Sequence, residues 1–241
     1  MASALKPVDK DSQRVQSMFA EIAPRYDLLN HLLSLGIDIR WRKFVVKNLR
    51  LDQSAPVLDC CTGTGDLALL IAKKLAGRAK VFGTDFCEPM LEIARQKQAR
   101  LPAQLPVEFS QADAQQLPFP NSTFQCVTVA FGLRNVQDTD QGILEMVRVC
   151  RPGGQIAILE FSKPRIPGLK HAYQAYFTKV LPLIGQRLAR NNQSAYEYLP
   201  NSVLQFPSGE GLVKVLEMHG LSNVRMFPLT LGVATLYLGE C

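Results

Sequence analysis

Val57-Leu58-Asp59-Cys60-Cys61-Thr62-Gly63-Thr64-Gly65-Asp66 is the stretch that decides how this chain is read. An apolar strand runs into an acid, then a tight loop with two glycines, then a helix beginning near Asp66. Gly63 and Gly65 carry no Cβ, so the backbone there is free to turn sharply and to approach a ligand closely. Strand, glycine loop and helix in that order hold nucleotide-like ligands at the carboxyl ends of the strands in doubly wound α/β domains.

Two ligands compete for the loop. Gly63-Thr64-Gly65-Asp66-Leu67-Ala68 fits the loose dinucleotide pattern G-x-G-x-x-A, and Asp85 follows at the spacing of a ribose-binding acid, roughly 20 residues on. NAD therefore has to be weighed. A pyrophosphate would sit on the helix N-terminus, where free N–H groups and the dipole draw anions. Asp66 occupies that position here, and Asp59 ends the strand just before the loop. Two carboxylates repel a pyrophosphate and favour a cation without phosphate. S-adenosylmethionine, with its sulfonium, ammonium and ribose, is such a ligand. The bland alternative is a glycine turn in an ordinary βαβ unit.

The rest of the chain bounds the answer. Its 241 residues, 47% hydrophobic and 20% charged, suit one α/β domain with appendages and a substantial core. A net charge of +6 fits weak attraction to anionic surfaces. No block of Lys and Arg with interleaved aromatics marks a nucleic-acid face, so no nucleic-acid partner is expected. Cys60, Cys61, Cys87, Cys126, Cys150 and Cys241 form no metal-like C-x-x-C pair. They read as reduced, mostly buried thiols of a cytoplasmic protein, with no metal. Residues 1–10 carry no signal-like apolar run, and no apolar run is long enough to cross a bilayer.

Residues 11–49 read as helical, with Val15, Met18, Phe19 and Ile22 on one face, a break at Pro24, and a second helix opened by Arg40-Trp41-Arg42-Lys43. Residues 1–50 are thus a helical lid or appendage ahead of a single domain over 51–241. Strands are expected at 57–61, 80–85, 107–113, 125–131 and 155–161, and helices at 67–75, from Glu88-Pro89, and at 138–150. Pro152-Gly153-Gly154 reads as a turn. Repeated βα units imply a parallel sheet with right-handed crossovers. After Lys163-Pro164 the pattern breaks into a helical insertion, about 165–206, carrying Tyr173, Tyr176, Phe177, Tyr196 and Tyr198. A helix at 209–219 and a hairpin of strands at 224–229 and 233–238 on the sheet edge close the chain. The expected fold is a doubly wound, mostly parallel α/β sheet with an antiparallel terminal strand.

Asp59, Asp85 and Asp113 fall at or just beyond the ends of the first three strands, where one crevice is expected. Asp85 is placed to accept both ribose hydroxyls. Asp113 is placed to accept from an adenine amino group while the Ala114 N–H donates to a ring nitrogen.

Several segments carry a resemblance. They are 22–30 (Ile-Ala-Pro-Arg-Tyr-Asp-Leu-Leu-Asn), Leu58 to Gly65, 113–120, Phe131-Gly132-Leu133-Arg134-Asn135-Val136, Arg151-Pro152-Gly153-Gly154 and Leu159-Glu160-Phe161-Ser162-Lys163-Pro164. Over nearly its full length the chain resembles the ubiquinone/menaquinone biosynthesis C-methyltransferase family, within the class I methyltransferase superfamily. The resemblance implies S-adenosylmethionine as methyl donor, a polyprenylated quinol as acceptor, and donor contacts from Thr64, Asp85 and the Asp113-Ala114 pair. With the glycine loop, the expected donor site is Asp59, Gly63, Thr64, Gly65, Asp85, Asp113 and Ala114. The family often has glycine or alanine where Cys61 and Thr62 stand, and serine where Ala130 stands, so Ala130 is not counted as a side-chain contact.

A quinone ring is electron-poor; the reduced quinol attacks once a hydroxyl beside the target carbon loses its proton. Arg134 and Asn135, just beyond the fourth strand, with Tyr26 from the N-terminal segment, are expected to orient the quinol or a water that takes its proton. A salt bridge holding the following loop is the competing role for Arg134. His219, before Gly220, reads as a helix cap. The acceptor expected first is demethylmenaquinol, then a methoxy-benzoquinol, then a phytylated naphthoquinol. Peripheral contact with the inner face of the membrane is expected from the lipid substrate and the basic outer helices, and a homodimer is left open. A nicotinamide oxidoreductase, a methyltransferase of another small molecule or RNA, and a non-catalytic scaffold remain as rivals.

Overall fold

The computed structural model describes residues 9–34, 36–52, 54–102, 105–164 and 193–241. In chain order the elements are α1 (Ser12–Ile22), α2 (Tyr26–Leu33), α3 (Ile37–Asn48), β1 (Val57–Cys60), α4 (Asp66–Leu75), β2 (Val81–Asp85), α5 (Glu88–Ala99), β3 (Val107–Gln111), β4 (Phe124–Ala130), α6 (Thr139–Val149), β5 (Cys150–Phe161), α7 (Gln193–Gln205), α8 (Glu210–Met218), β6 (Ser222–Leu229) and β7 (Ala234–Glu240). The strands form one sheet in the order β3-β2-β1-β4-β5-β7-β6. The first five are parallel; β7 runs antiparallel to both β5 and β6.

Local chemistry explains where the elements stop. Every residue of β1 is buried, and β4 is buried through its first six positions, as strands covered on both faces must be. Asp138 caps α6 by accepting from the Gln141 N–H, and α4 ends on a left-handed Ala76 followed by Gly77. One apolar layer packs α3, α4 and α5 against the sheet through Trp41, Leu67, Ile71 and Leu91. The other packs α6 and α8 against it through Ile143, Met146, Leu212 and Leu216. The strand order reverses between β1 and β4, and such a switch opens a crevice beyond the carboxyl ends of the strands.

Several boundaries differ from expectation. The N-terminal segment holds three helices rather than two. Pro24 lies in a short 3-10 turn, and α3 begins at Ile37, after a left-handed Gly36 (φ 73°), rather than at Arg40. β3 ends at Gln111, so Asp113 stands in a turn beyond it, bridged to Gln116. Pro152-Gly153-Gly154 does turn, but inside a longer β5: the pairing with β4 jumps from Phe124↔Cys150 to Cys126↔Gln155, and the extra residues loop out. In the terminal hairpin β7 takes the inner place and β6 the edge. Of the insertion, α7 is described; Tyr173, Tyr176 and Phe177 lie outside the described residues.

Candidate active site

The loop after β1 is pinned from below and turned by its glycines. The Thr62 N–H donates to the Thr84 carbonyl of β2 at 2.9 Å, and the Gly65 N–H to the Thr62 carbonyl at 3.0 Å. Gly63 and Gly65 take φ of +56° and +81°. At Gly65 a Cβ would also lie 2.9 Å from the Ala94 Cβ and from the Phe109 ring, so α5 and β3 press against the loop there.

Asp85, 7% exposed, stands beside that loop at the end of β2. Its Oδ2 accepts from the Gly63 N–H at 2.8 Å and its Oδ1 from the Cys87 N–H at 2.9 Å. Burial pushes its carboxyl up to about 6, against the pull of those N–H donors. Each oxygen still has a lone pair for a hydroxyl donor. Asp59, at the third position of β1, is also raised to about 6 by burial, although hydroxyls of Thr128 and Thr62 each donate to it at 2.6 Å. Asp113 Oδ1 accepts from the Gln115 N–H at 2.9 Å, fixing the turn that presents Ala114.

The opposite bank begins where β4 ends. Phe131 has φ +58°, a left-handed conformation that is costly for a bulky residue, and Cys61, the first residue beyond β1, has φ +48°. Both line the same cavity. Phe131 is held by Phe161, ring centroids 4.5 Å apart, and by Trp41 at 5.9 Å. Its carbonyl accepts from Arg134 Nη1 at 2.5 Å and from Asn135 Nδ2 at 3.3 Å. Arg134 is 5% exposed and Glu160, from β5, 1%. Arg134 Nη1 lies 3.0 Å from Glu160 Oε2, and the Arg134 N–H donates to Glu160 Oε1 at 3.2 Å. The ion pair weighed for Arg134 is therefore formed. Among the described residues, the buried side-chain polar atoms left without a partner are Arg134 Nε, Asn135 Oδ1 and Tyr198 OH. Burial raises the Tyr198 hydroxyl, and the charges of Arg134 and Glu160 act on it in opposite senses.

The N-terminal helices span the two banks. Gln16 Nε2 donates to the Phe86 carbonyl beyond β2 at 2.7 Å, while Ser12 Oγ donates to Gln137 Oε1 beyond β4 at 2.7 Å. Tyr26, edge-on to Phe19 at 6.1 Å, stands over Gly63. Burial raises its hydroxyl, and a hydrogen bond with Asn30 lowers it. Beneath lies a cavity with about 660 Å³ of empty space, its solvent mouth included. Tyr26, Gly63, Asp85, Asp113, Ala114 and Asn135 all face it, as does Ala130. Asp59 and Thr64 instead line a smaller neighbouring recess, shared with Tyr26, Gly63 and Arg42. Gly65 and Arg134 line neither; one serves packing, the other the ion pair with Glu160.

Sequence reasoning missed three partners. Glu160 was legible in principle, as an acid inside the apolar run of β5. Thr128, in β4, holds Asp59 but reads as an ordinary strand residue. Lys97 Nζ lies 2.6 Å from Asp66 Oδ1 and 2.6 Å from Asp27 Oδ2. Asp66 is thus paired rather than bare, so its repulsion of a pyrophosphate is weaker than the sequence alone implies. His219 does cap α8, its Nδ1 2.7 Å from the Val215 carbonyl. No group of three or more His, Cys, Asp or Glu able to hold a metal occurs among the described residues, and none of their helices is long and apolar enough to cross a membrane.

Comparison with known proteins bears on the family and the fold. A protein from Thermus thermophilus named demethylmenaquinone methyltransferase is 48% identical over 225 residues, covering 92% of this chain and 99% of its own. A Geobacter sp. (strain M21) protein named ubiquinone/menaquinone biosynthesis C-methyltransferase UbiE is 46% identical over 234 residues, covering 96% of this chain and 98% of its own. In fold, the chain is similar to a SAM-dependent methyltransferase from Thermotoga maritima, with TM-score 0.65 and 16% identity, covering 94% of this chain and 99% of that one. Residues 8–240 match the sequence model of one family. With that match and those relatives, the chain belongs to the ubiE/COQ5 methyltransferase family.

Proposed function

We propose that the protein transfers a methyl group from S-adenosylmethionine to a ring carbon of a polyprenylated quinol, converting demethylmenaquinol to menaquinol. The observation that carries this reading is the cavity with two unlike banks: a buried carboxylate and a glycine loop on one side, and on the other Phe131 with Asn135, whose Oδ1 has no partner. Asp85, raised to about 6 yet still able to accept, fits a ribose diol. Asp113 and Ala114, with the apolar Phe86 and Met90 close by, fit an adenine. Tyr26, Gly63 and Thr64 fit the methionine end, with Asp59 held behind them. When bound, the donor supplies an electrophilic methyl that needs no further activation.

The chain's task is then to hold the acceptor ring in line, which contributes about 7–11 kcal/mol in well-oriented reactions. Asn135 Oδ1 accepts a hydrogen bond from a quinol hydroxyl or from a water that removes its proton. Arg134 lies behind that bank, fixed by Glu160, and its guanidinium charge stabilises a developing phenolate through space, without contact and without acting as a base. Tyr26 closes the crevice above both partners. Residues 1–50 act as the lid and 51–241 as the catalytic domain. The isoprenoid tail leaves beside α7, which packs on α1, and the net charge of +6 assists peripheral contact with an anionic membrane face.

A benzoquinol acceptor is the second reading, because the Geobacter relative's name covers ubiquinone as well as menaquinone synthesis. Incubating the purified protein with S-adenosylmethionine and each reduced ring, then weighing the products by mass spectrometry, decides between them. A methylated naphthoquinol, formed from the reduced and not the oxidised ring, is expected. Methylation of the benzoquinol alone moves the assignment to the second reading. A protein that ignores S-adenosylmethionine but binds NADH overturns both. Flotation with anionic liposomes at low salt tests the membrane contact, and failure to float refutes it.

A further inference from the structure

Lys97 belongs to no motif singled out in the sequence, yet it joins four elements. It projects from the last turn of α5, and its Nζ contacts Asp27 Oδ2 at 2.6 Å, Asp66 Oδ1 at 2.6 Å and Thr64 Oγ1 at 2.9 Å. Thr64 Oγ1 closes the ring by donating to Asp27 Oδ1 at 2.6 Å. Asp27 belongs to the first turn of α2, Thr64 to the glycine loop and Asp66 to the first turn of α4.

The charges make the lysine indispensable to this closure. Two carboxylate oxygens share one ammonium, so they lie no farther apart than twice their distance to it. Without the ammonium, α2 would bring a carboxylate down onto another and onto the loop. Beside this polar junction runs an apolar one, where Ala23 packs on Cys87 and Met90. The apolar contact tolerates sliding, whereas the ion cluster fixes one register. That register places Tyr26, next to Asp27, against Gly63: a Cβ added at Gly63 would sit 4.0 Å from the Tyr26 ring.

We propose that Lys97 is a positioning residue for the methyl donor, pinning the start of α2 to the glycine loop so that Tyr26 closes over the donor pocket. The proposal rests on reading that pocket as the donor site. Lys97 lines neither the cavity nor the recess beside it; it acts through Asp27 and Thr64. Its side chain is 24% exposed, so salt weakens the pin without abolishing it.

Stopped-flow release of S-adenosylmethionine is the direct test, with calorimetry on the wild type first. If the wild type does not bind S-adenosylmethionine, the donor-site reading fails, and that is a different failure from the one sought here. Given binding, Lys97→Met is expected to release the donor about tenfold faster, the scale of coupling between contacting residues, and to raise donor KM more than it changes kcat. Lys97→Arg recovers most of the slow release. Asp27→Asn, which keeps the shape and removes the charge, speeds release in the same way and serves alone if Lys97→Met does not fold. Combining the two adds little beyond the larger single effect. Raising salt speeds release in the wild type and hardly at all in the variants. Wild-type release rates in Lys97→Met, or in Asp27→Asn where it alone folds, overturn the proposal, as does a fall in melting temperature with release unchanged.

Discussion

The two banks of the crevice are built by opposite means. On the β2 side, backbone does the shaping. Glycines turn the loop, and the polar groups of Asp85 and Asp113 are anchored by N–H donors while keeping acceptor capacity to spare. On the β4 side, side chains do it. A bulky Phe131 is forced into a left-handed conformation, a guanidinium is buried against a carboxylate, and polar atoms are left unmatched. One bank is a pre-satisfied cradle, and the other stores strain and unmet hydrogen bonds. A cradle suits a ligand with fixed polar features. An unsatisfied bank suits a ring whose polarity changes during reaction, because the Asn135 oxygen that faces the cavity is repaid when that ring arrives.

The contrast breaks first at Glu160. Glu160→Ala leaves the Arg134 guanidinium buried without its carboxylate, which typically costs about 3–5 kcal/mol. Urea denaturation should register that loss. A variant as stable as the wild type would mean that the β4 bank is not held by this pair. On the other bank, Gly65→Ala is predicted to cost about 1–3 kcal/mol, because a Cβ would enter a left-handed residue and press on Ala94 and Phe109. A Gly63→Ala variant faces only the backbone penalty, since nothing but Tyr26 lies within 4.0 Å of its Cβ. Its melting temperature should fall less; equal losses would show that φ alone governs the loop.

The banks also differ in how much of them the sequence disclosed. Gly63, Asp85 and the Asp113-Ala114 pair were legible because strand-end acids and glycine turns follow from local chain geometry. The parallel sheet followed from the repeated βα pattern. The pairing of Arg134 with Glu160 was not fixed in advance, since it joins residues 26 apart in sequence through strand neighbours. Lys97 was invisible for another reason: a lysine late in a helix ordinarily faces water. The split of the N-terminal segment turned on Gly36, whose left-handed φ is no more visible in composition than the inner place of β7 is in a strand pattern.

A smaller effect bears on recognition. Asp85→Asn keeps the shape but loses the charge that makes a bond to a ribose hydroxyl strong, and it sets an NH2 donor against the Gly63 or the Cys87 N–H, so the melting temperature is measured beside the affinity. Charge-assisted bonds contribute about 1.5–3 kcal/mol, so donor affinity should fall roughly 10- to 100-fold in calorimetry. Unchanged affinity would remove Asp85 from the donor site.

The smallest effect is in pH, and its sign differs between folding and binding. Asp85 and Asp59 are both raised from 3.8 to about 6 by burial. A raised carboxyl favours the fold fully below 3.8, and that contribution is lost as pH rises through about 6. Binding runs the other way, because hydroxyl donors prefer the ionised Asp85. At pH 5 only about a tenth of a carboxyl with pKa near 6 is ionised, and at pH 7 about nine-tenths. Donor affinity should therefore climb by up to about tenfold between those values and level off above. In Asp85→Asn that climb should flatten, leaving only what Asp59 contributes through the neighbouring loop. A full climb in the variant would transfer the titration to Asp59, and a fall in wild-type affinity over the same range would contradict the assignment of Asp85 as an acceptor for the donor's hydroxyls.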